Sequence, residues 1–208
     1  MSTSLRRHGP SKGDLKQEAI LDTAERLLAV KPLAEIGIEE LAAGAAISRS
    51  SFYFYFESKQ AMLRALVARV SDVLHAEVDS WRRDGDARQE IRRGIQAAAR
   101  MWREHGAVLH ATRSVEASQE IKEFVAGRTS RLVEVAVAII DKTRADGLAP
   151  AGPPSAEALG AMLVEMTEHC LAMAHARNPT TIDDELVDTL VTVWTRGIFA
   201  ADGSRTSE

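Results

Sequence analysis

Apolar positions recur at helical spacing almost from one end of the chain to the other. Ile20, Ala24, Leu27 and Leu28 share one face, while Glu18, Asp22, Glu25 and Arg26 lie mostly elsewhere, as in an amphipathic helix. Asp14 and Gln17 have the spacing of a capping box at its start, and Pro32 ends it by pushing Lys31 out of the helical region. Residues 37–47 read as a short helix and turn, and 48–56 as another short element. Ser58 then caps a long helix over 59–83, where Leu63, Leu66, Val67, Val70, Leu74, Val78 and Trp81 keep a 3.6-residue period. Asp84, Gly85 and Asp86 break the chain. A helix follows to about Trp102, Gly106 interrupts it, and a shorter helix covers 107–116. Further helices are predicted over 119–145, over 155–176 with Ser155 as cap, and over 181–199 with Thr180 or Thr181 as cap. The Gly147–Pro154 loop and the Asn178-Pro179 turn separate them. No stretch shows a convincing strand period, so the expectation is an all-α chain of about nine helices, with 1–13 as a flexible basic arm.

Composition narrows the classes. The chain has 208 residues, 45% hydrophobic and 27% charged, enough apolar material for a real core. No apolar run approaches the roughly 18–20 residues of a membrane span, and no charged-then-apolar leader is visible. Cys170 is the single cysteine, which excludes an intrachain disulfide framework and a thiolate zinc cage and suggests a reducing, cytoplasmic setting. Net charge is −4, but it is unevenly spread. Residues 1–64 carry nine Lys/Arg against eight Asp/Glu, and Arg6, Arg7, Lys12 and Lys16 face only Asp14 in the first sixteen. A weakly electropositive front on an acidic body can still meet phosphate, because binding follows the local field.

The stretch 37–63, GIEELAAGAAISRSSFYFYFESKQAML, has the makings of a helix-turn-helix. Ile38, Leu41 and Ala42 form a buried face, Ala45 and Ala46 permit close crossing, and Ile47 fills the space between the helices. Ser48 is a good N-cap for the second helix. Phe52 and Phe56, four apart, fall on its inner side, leaving Arg49, Ser50, Ser51 and Tyr53 outward. Five of the ten aromatics lie in 52–56. The alternation of Phe and Tyr also suits a strand, but a lone five-residue strand in a helical chain leaves its backbone groups unpaired.

On these residues the chain resembles the TetR family of one-component transcriptional repressors. The resemblance is strong over 15–67, above all in ISRSSFYFYFESKQAML. FYFYF, AERLL, ISR and the C-terminal DTLVTVW are closest to the EthR-like mycobacterial repressors of that family. The resemblance implies a DNA-binding domain over 14–63 and an effector-binding and dimerisation domain over 64–208. It implies that Ser48 caps the recognition helix and that Arg49, Ser50 and Ser51 approach base edges. Tyr53 and Tyr55 would touch phosphates, Phe54 would rest on a thymine methyl or pack, and Lys59 would meet the backbone of the other strand. Arg6 and Arg7 would follow a groove or phosphate rim. Two positions depart from the family pattern. Ala46 stands where a turn glycine is usual, at a cost on the order of 1 kcal/mol if φ is positive, part of which Gly44 can relieve. Gly37, which the resemblance puts among the DNA-binding positions, stands where a Ser or Thr cap is usual, so a side-chain acceptor and a hydroxyl for phosphate are lost.

The remainder implies a homodimer built on the last two long helices, with Leu159, Leu163, Leu186, Leu190 and Val193 at the interface. It also implies an effector cavity, for which Met101, Trp102, Leu109, Phe124, Met162, Met166, Thr167, Cys170, Met173 and Trp194 are the candidates. Methionine fills irregular space and suits a deformable apolar pocket, and polar handles are few: Thr167, Cys170, His169 and Glu165. The expected ligand is small and apolar, elongated or aromatic. No cofactor, metal or membrane partner is expected. There is no H-E-x-x-H, no phosphate loop and no G-x-G-x-x-G, and the only near match to a metal-bundle pair is Asp72 with His75, so an enzyme is not expected. The alternative function is a ligand-binding or scaffolding helical bundle without DNA activity.

Overall fold

The computed structural model describes residues 11–81, 86–114, 117–178 and 181–199. Arg6 and Arg7 lie outside the described residues, as do the side chains of Val78 and Trp81. Among the described residues there are eight α-helices, a 3-10 turn at Leu33–Glu35 and no strand. The helices are α1 (Lys12–Leu28), α2 (Ile38–Gly44), α3 (Arg49–Tyr55), α4 (Lys59–Trp81), α5 (Ala87–Arg113), α6 (Gln119–Ala145), α7 (Ala156–Arg177) and α8 (Asp184–Ile198). The all-α expectation holds, with eight helices where the spacing suggested about nine.

Three local expectations change, each for a physical reason. The cap of α1 is Ser11, not Asp14: the Ser11 hydroxyl accepts from the Asp14 N–H at 3.1 Å, and the Asp14 carboxylate accepts from the Ser11 N–H at 2.8 Å. The helix therefore begins inside the segment read as a flexible arm. The cap of α8 is Asp183, whose carboxylate accepts from the Leu186 N–H at 2.9 Å. The Thr181 hydroxyl instead donates to the carbonyls of Ala174 and Asn178. Most consequentially, Gly106 does not interrupt α5. It is buried in mid-helix, and a Cβ built on it would lie 2.3 Å from the His175 ring. The glycine is there so that α7 can seat a ring against the α5 backbone.

Two large apolar clusters organise the packing. The first gathers Ile20, Leu41, Phe52, Met62, Leu63 and Leu66 from α1 to α4 and is closed by Val108, Ala117 and Ile121. The second joins α5 to α8 through Ile91, Ile95, Trp102, Ile140, Leu171 and Leu190. At about 1.5–3 kcal/mol for each large side chain fully buried, these clusters hold the fold. Helix α5 belongs to both, giving Val108 to the head and Trp102 to the body. Polar ties fasten α4 and α5 to α1. Arg69 on α4 donates to Glu18, Asp22 and Glu25 of α1 at 2.8, 2.7 and 2.9 Å. His105 on α5 bonds through Nδ1 to the other oxygen of Glu25.

Candidate nucleic-acid interface and effector cavity

The turn between α2 and α3 sets how α3 is presented. Ala46 has φ +51°, in the left-handed region. The Ala46 N–H donates to the Ala43 carbonyl (3.1 Å) and the Ile47 N–H to the Ala42 carbonyl (2.9 Å), the two bonds of a Schellman motif. The cost anticipated for an alanine at this turn is therefore present. Gly44 does not relieve it: this residue is part of α2, and its missing Cβ would fall 2.3 Å from Cγ2 of the buried Thr23. Gly37 caps α2 without a side-chain bond.

Ser48 caps α3, its hydroxyl accepting from the Ser51 N–H at 3.1 Å and lying 2.8 Å from the hydroxyls of Ser50 and Ser51. Phe52 is 0% exposed and Phe56 5%, so the inner face is that expected from their spacing. The outer face carries Arg49, Ser50, Tyr53 and Phe54, with Tyr53 46% and Phe54 84% exposed. Arg49 pairs with Glu39 on α2. A side-chain hydrogen bond with Tyr53, with Glu39 second, holds its guanidinium above the ordinary arginine value. Ser51 is half-buried, and Tyr55 is tucked partly against the head cluster.

Lys59 behaves otherwise than expected. Its ammonium turns inward and donates to the carbonyls of Leu33 (2.9 Å), Ala34 (3.3 Å) and Ile36 (2.8 Å). This cage ties the start of α4 to the turn between α1 and α2, so the charge is not free for phosphate while the cage is intact. Nothing in the sequence around Lys59 signals this, because only the fold brings the segment after Pro32 beside it.

In the body, an open cavity of about 710 Å³ lies between α5, α6 and α7. Of the candidates, Trp102, Leu109, Met162 and Met166 line it. Thr167 and Trp194 line a second, inner chamber of about 80 Å³, walled by apolar residues such as Ile95, Leu132 and Val164, and the Trp194 indole N–H donates to the Thr167 hydroxyl at 2.8 Å. Met101 lines a separate small space of about 40 Å³ beside His75. Phe124 packs on the head cluster under the guanidinium groups of Arg64 and Arg128. Cys170 and Met173 line none of these three spaces, and Met173 is instead 45% exposed.

Sequence reasoning missed Glu168, which lines both the outer cavity and the inner chamber and accepts from the Trp102 indole N–H at 3.3 Å. Burial pushes its carboxyl above the ordinary range, against the opposing pull of the Trp102 bond and Arg113. Its signal was a further glutamate, three residues after Glu165 on the mostly apolar α7. Of the interface candidates, Leu163 and Leu190 are 4% and 3% exposed and pack in the chain's own core, because α7 and α8 pack their periodic leucines on each other and on α5. Leu159 and Leu186 are partly buried against that core, and Val193 is exposed.

The sequence matches two family models. Residues 20–66 match the bacterial regulatory proteins of the tetR family, and residues 91–200 match the C-terminal domain of the transcriptional regulator EthR. The HTH-type transcriptional regulator EthR of Mycolicibacterium smegmatis is 36% identical over 200 residues, which cover 93% of this chain and 91% of that one. EthR of Mycobacterium tuberculosis H37Rv is 36% identical over 199 residues, covering 93% and 92%. Among solved structures, FadR, a fatty acid degradation regulator from Bacillus halodurans, superposes with a TM-score of 0.74 at 11% identity, covering 91% of this chain and 96% of that one. NalD, the secondary repressor of the MexAB-OprM multidrug efflux pump in Pseudomonas aeruginosa, gives 0.73 at 16% identity, covering 93% and 100%. At those identities the likeness is one of fold. No helix of the described residues is long and apolar enough to cross a membrane. A serine-capped recognition helix at one end, an EthR-type helical domain at the other, and homology along nearly the whole chain place it among DNA-binding transcriptional regulators rather than enzymes: the chain belongs to the TetR family.

Proposed function

We propose that the chain is a ligand-responsive repressor in the cytoplasm that binds a palindromic operator as a homodimer and is released by a small, largely apolar effector. The observation that carries this reading is the split of α3, with Phe52 and Phe56 sealed inside and Arg49, Ser50, Tyr53 and Phe54 open to a groove. Homodimerisation is supported by large apolar side chains left exposed on α7 and α8, namely Met162, Met173 and Val193. Two recognition helices must stand about one DNA turn, ~34 Å, apart to read both halves of a palindrome, and a symmetric pair supplies that spacing. The domain organisation follows the same lines: a basic arm at the N-terminus, a DNA-binding head on α1 to α3, and a body that holds the ligand.

Release is a shift between two states. A ligand acts only through its better affinity for the state that does not fit DNA, and ~2–3 kcal/mol makes a useful switch. Two helices connect cavity to head. Helix α4 carries Leu74 at the inner chamber and Arg69 at the head, and α5 carries Trp102 and Leu109 at the outer cavity and His105 at Glu25. The test is selection of bound duplexes from the DNA upstream of candidate genes, followed by titration at several salt concentrations. A repressor loses affinity steeply with salt. Arg49→Ala relaxes sequence preference, whereas Tyr53→Phe weakens all duplexes alike. Absence of any saturable duplex binding refutes the reading and leaves a scaffold.

A further inference from the structure

The outer cavity is not uniformly apolar. One wall is Trp102, Leu109, Val125 and Met166; Arg113 and Lys122 stand on it as well, at the facing ends of α5 and α6. Arg113 folds back so that Cζ lies 5.9 Å from the centre of the Trp102 ring, whose N–H is bonded to Glu168. Among the described residues neither Arg113 nor Lys122 has a carboxylate within ion-pairing distance. Two cations bordering an apolar wall, neither in an ion pair with a described carboxylate, suit an anion carried on an apolar body. Neither carboxylate of the cavity forms an ion pair with them. Glu165 is exposed, and the half-buried Glu168 accepts from the Trp102 N–H, with burial raising its carboxyl above the ordinary range and Arg113 pulling the other way. A lipophilic cation, by contrast, would have to lie beside Arg113 and oppose its charge.

We propose that the ligand selected by this cavity is an amphipathic organic acid, its carboxylate held by Arg113 and Lys122 and its alkyl or aryl tail lying along Trp102, Leu109, Val125 and Met166 towards Glu168. The proposal rests on the reading of this cavity as the effector site and adds a charged head to the apolar ligand. Glu168, shared with the inner chamber, is the wall at which the tail ends unless its bond to Trp102 opens.

The test is calorimetric titration of the full-length protein with decanoate, 1-decanol and decylammonium, each below its micelle concentration. Decanoate binds about tenfold or more tightly than either of the others, the advantage of a charge-assisted contact over a neutral one. In the Arg113→Gln/Lys122→Gln variant this advantage shrinks to within about threefold while decanol binding stays unchanged, and Val125→Trp, which fills the wall, abolishes decanoate binding. Thermal melting of both variants checks that they fold. Equal binding of acid and alcohol, a preference for the ammonium, no binding of any of the three, or decanoate binding that survives Val125→Trp overturns the proposal. Operator titration separates it from the effector reading. Selective decanoate binding that leaves operator affinity unchanged upholds the ligand class and overturns the effector role. Release by decanol with no preference for the acid does the reverse.

Discussion

Ala46 holds the recognition turn in the left-handed region without the freedom of a glycine. The two Schellman bonds and the Lys16 ammonium, which donates to the Ala46 carbonyl at 3.3 Å, outweigh a local preference that runs against them. Ala46→Gly relieves the steric cost, and urea denaturation is expected to show a gain of about 1 kcal/mol with no loss of operator affinity. Gly44 carries the opposite expectation. Its hydrogen points at Thr23, so Gly44→Ala destabilises the head by about 1–3 kcal/mol, and Thr23→Ser, which removes the Cγ2 in the way, restores part of it in the double variant. Histidines set the response to pH. His75 is lowered below its ordinary 6.5 by burial and then by Arg128 and Arg131, with Asp72 opposing; His175 is lowered by burial and then by His110. At these two sites the folded chain holds fewer protons than the unfolded one just below that value, so their contribution to stability falls as pH drops from about 6.5 through the depressed values, while the raised Glu168 carboxyl contributes in the opposite sense. The histidine part is read by comparison: between neutral and mildly acid pH the denaturation midpoint of His75→Asn is expected to gain relative to that of the parent chain.

Among the elements, the recognition segment was the most legible and α5 the least. Around 48–56 every signal is local: a serine cap, phenylalanines four apart and small polar residues between them, so the sequence and the fold agree there. Gly106 gives the opposite lesson. Within its own window a glycine inside a periodic stretch reads as a break, because the ring that requires it comes from His175 on another helix. The site was legible to the same degree. Trp102 and Met166 were among the candidates that the family resemblance implied, whereas Thr112, Arg113, Lys122 and Thr129 meet only after α5, α6 and α7 pack. The inward turn of Lys59 is non-local in the same way. Because α5 lines the cavity and also touches Glu25, His105→Ala is expected to lower the coupling between ligand and operator by about 0.5–2 kcal/mol. Operator titration with and without ligand measures this, and an unchanged ratio removes α5 from the route.

For the molecule as a whole, six exposed positions of α7 form a stripe: Ala158, Met162, Glu165, His169, Met173 and Ala176. On α8, Val193 and Gly197 continue it, since Gly197 lies near Leu159 and Leu163 of α7. If copies meet here, Met173→Glu with Val193→Glu puts unpaired charges in the seam and costs about 3–5 kcal/mol. Sedimentation is then expected to show a monomer, and operator affinity to fall with it, while the melting of the chain itself changes little because both sites are open to water. A dimer that persists in this variant moves the contact elsewhere. The ring of His175 sits in the gap left by Gly106, one residue from His105 and within the stretch of α5 that runs from cavity to head. A tooth in a notch forbids sliding and leaves rotation. A guest wedged between these helices would therefore tilt α5 about that point as about a fulcrum, with the long arm, Ala87 to His105, in the body and the short one, Ala107 to Arg113, beside the head, and in the dimer proposed above even a small swing there alters how two reading heads match the pitch of a double helix.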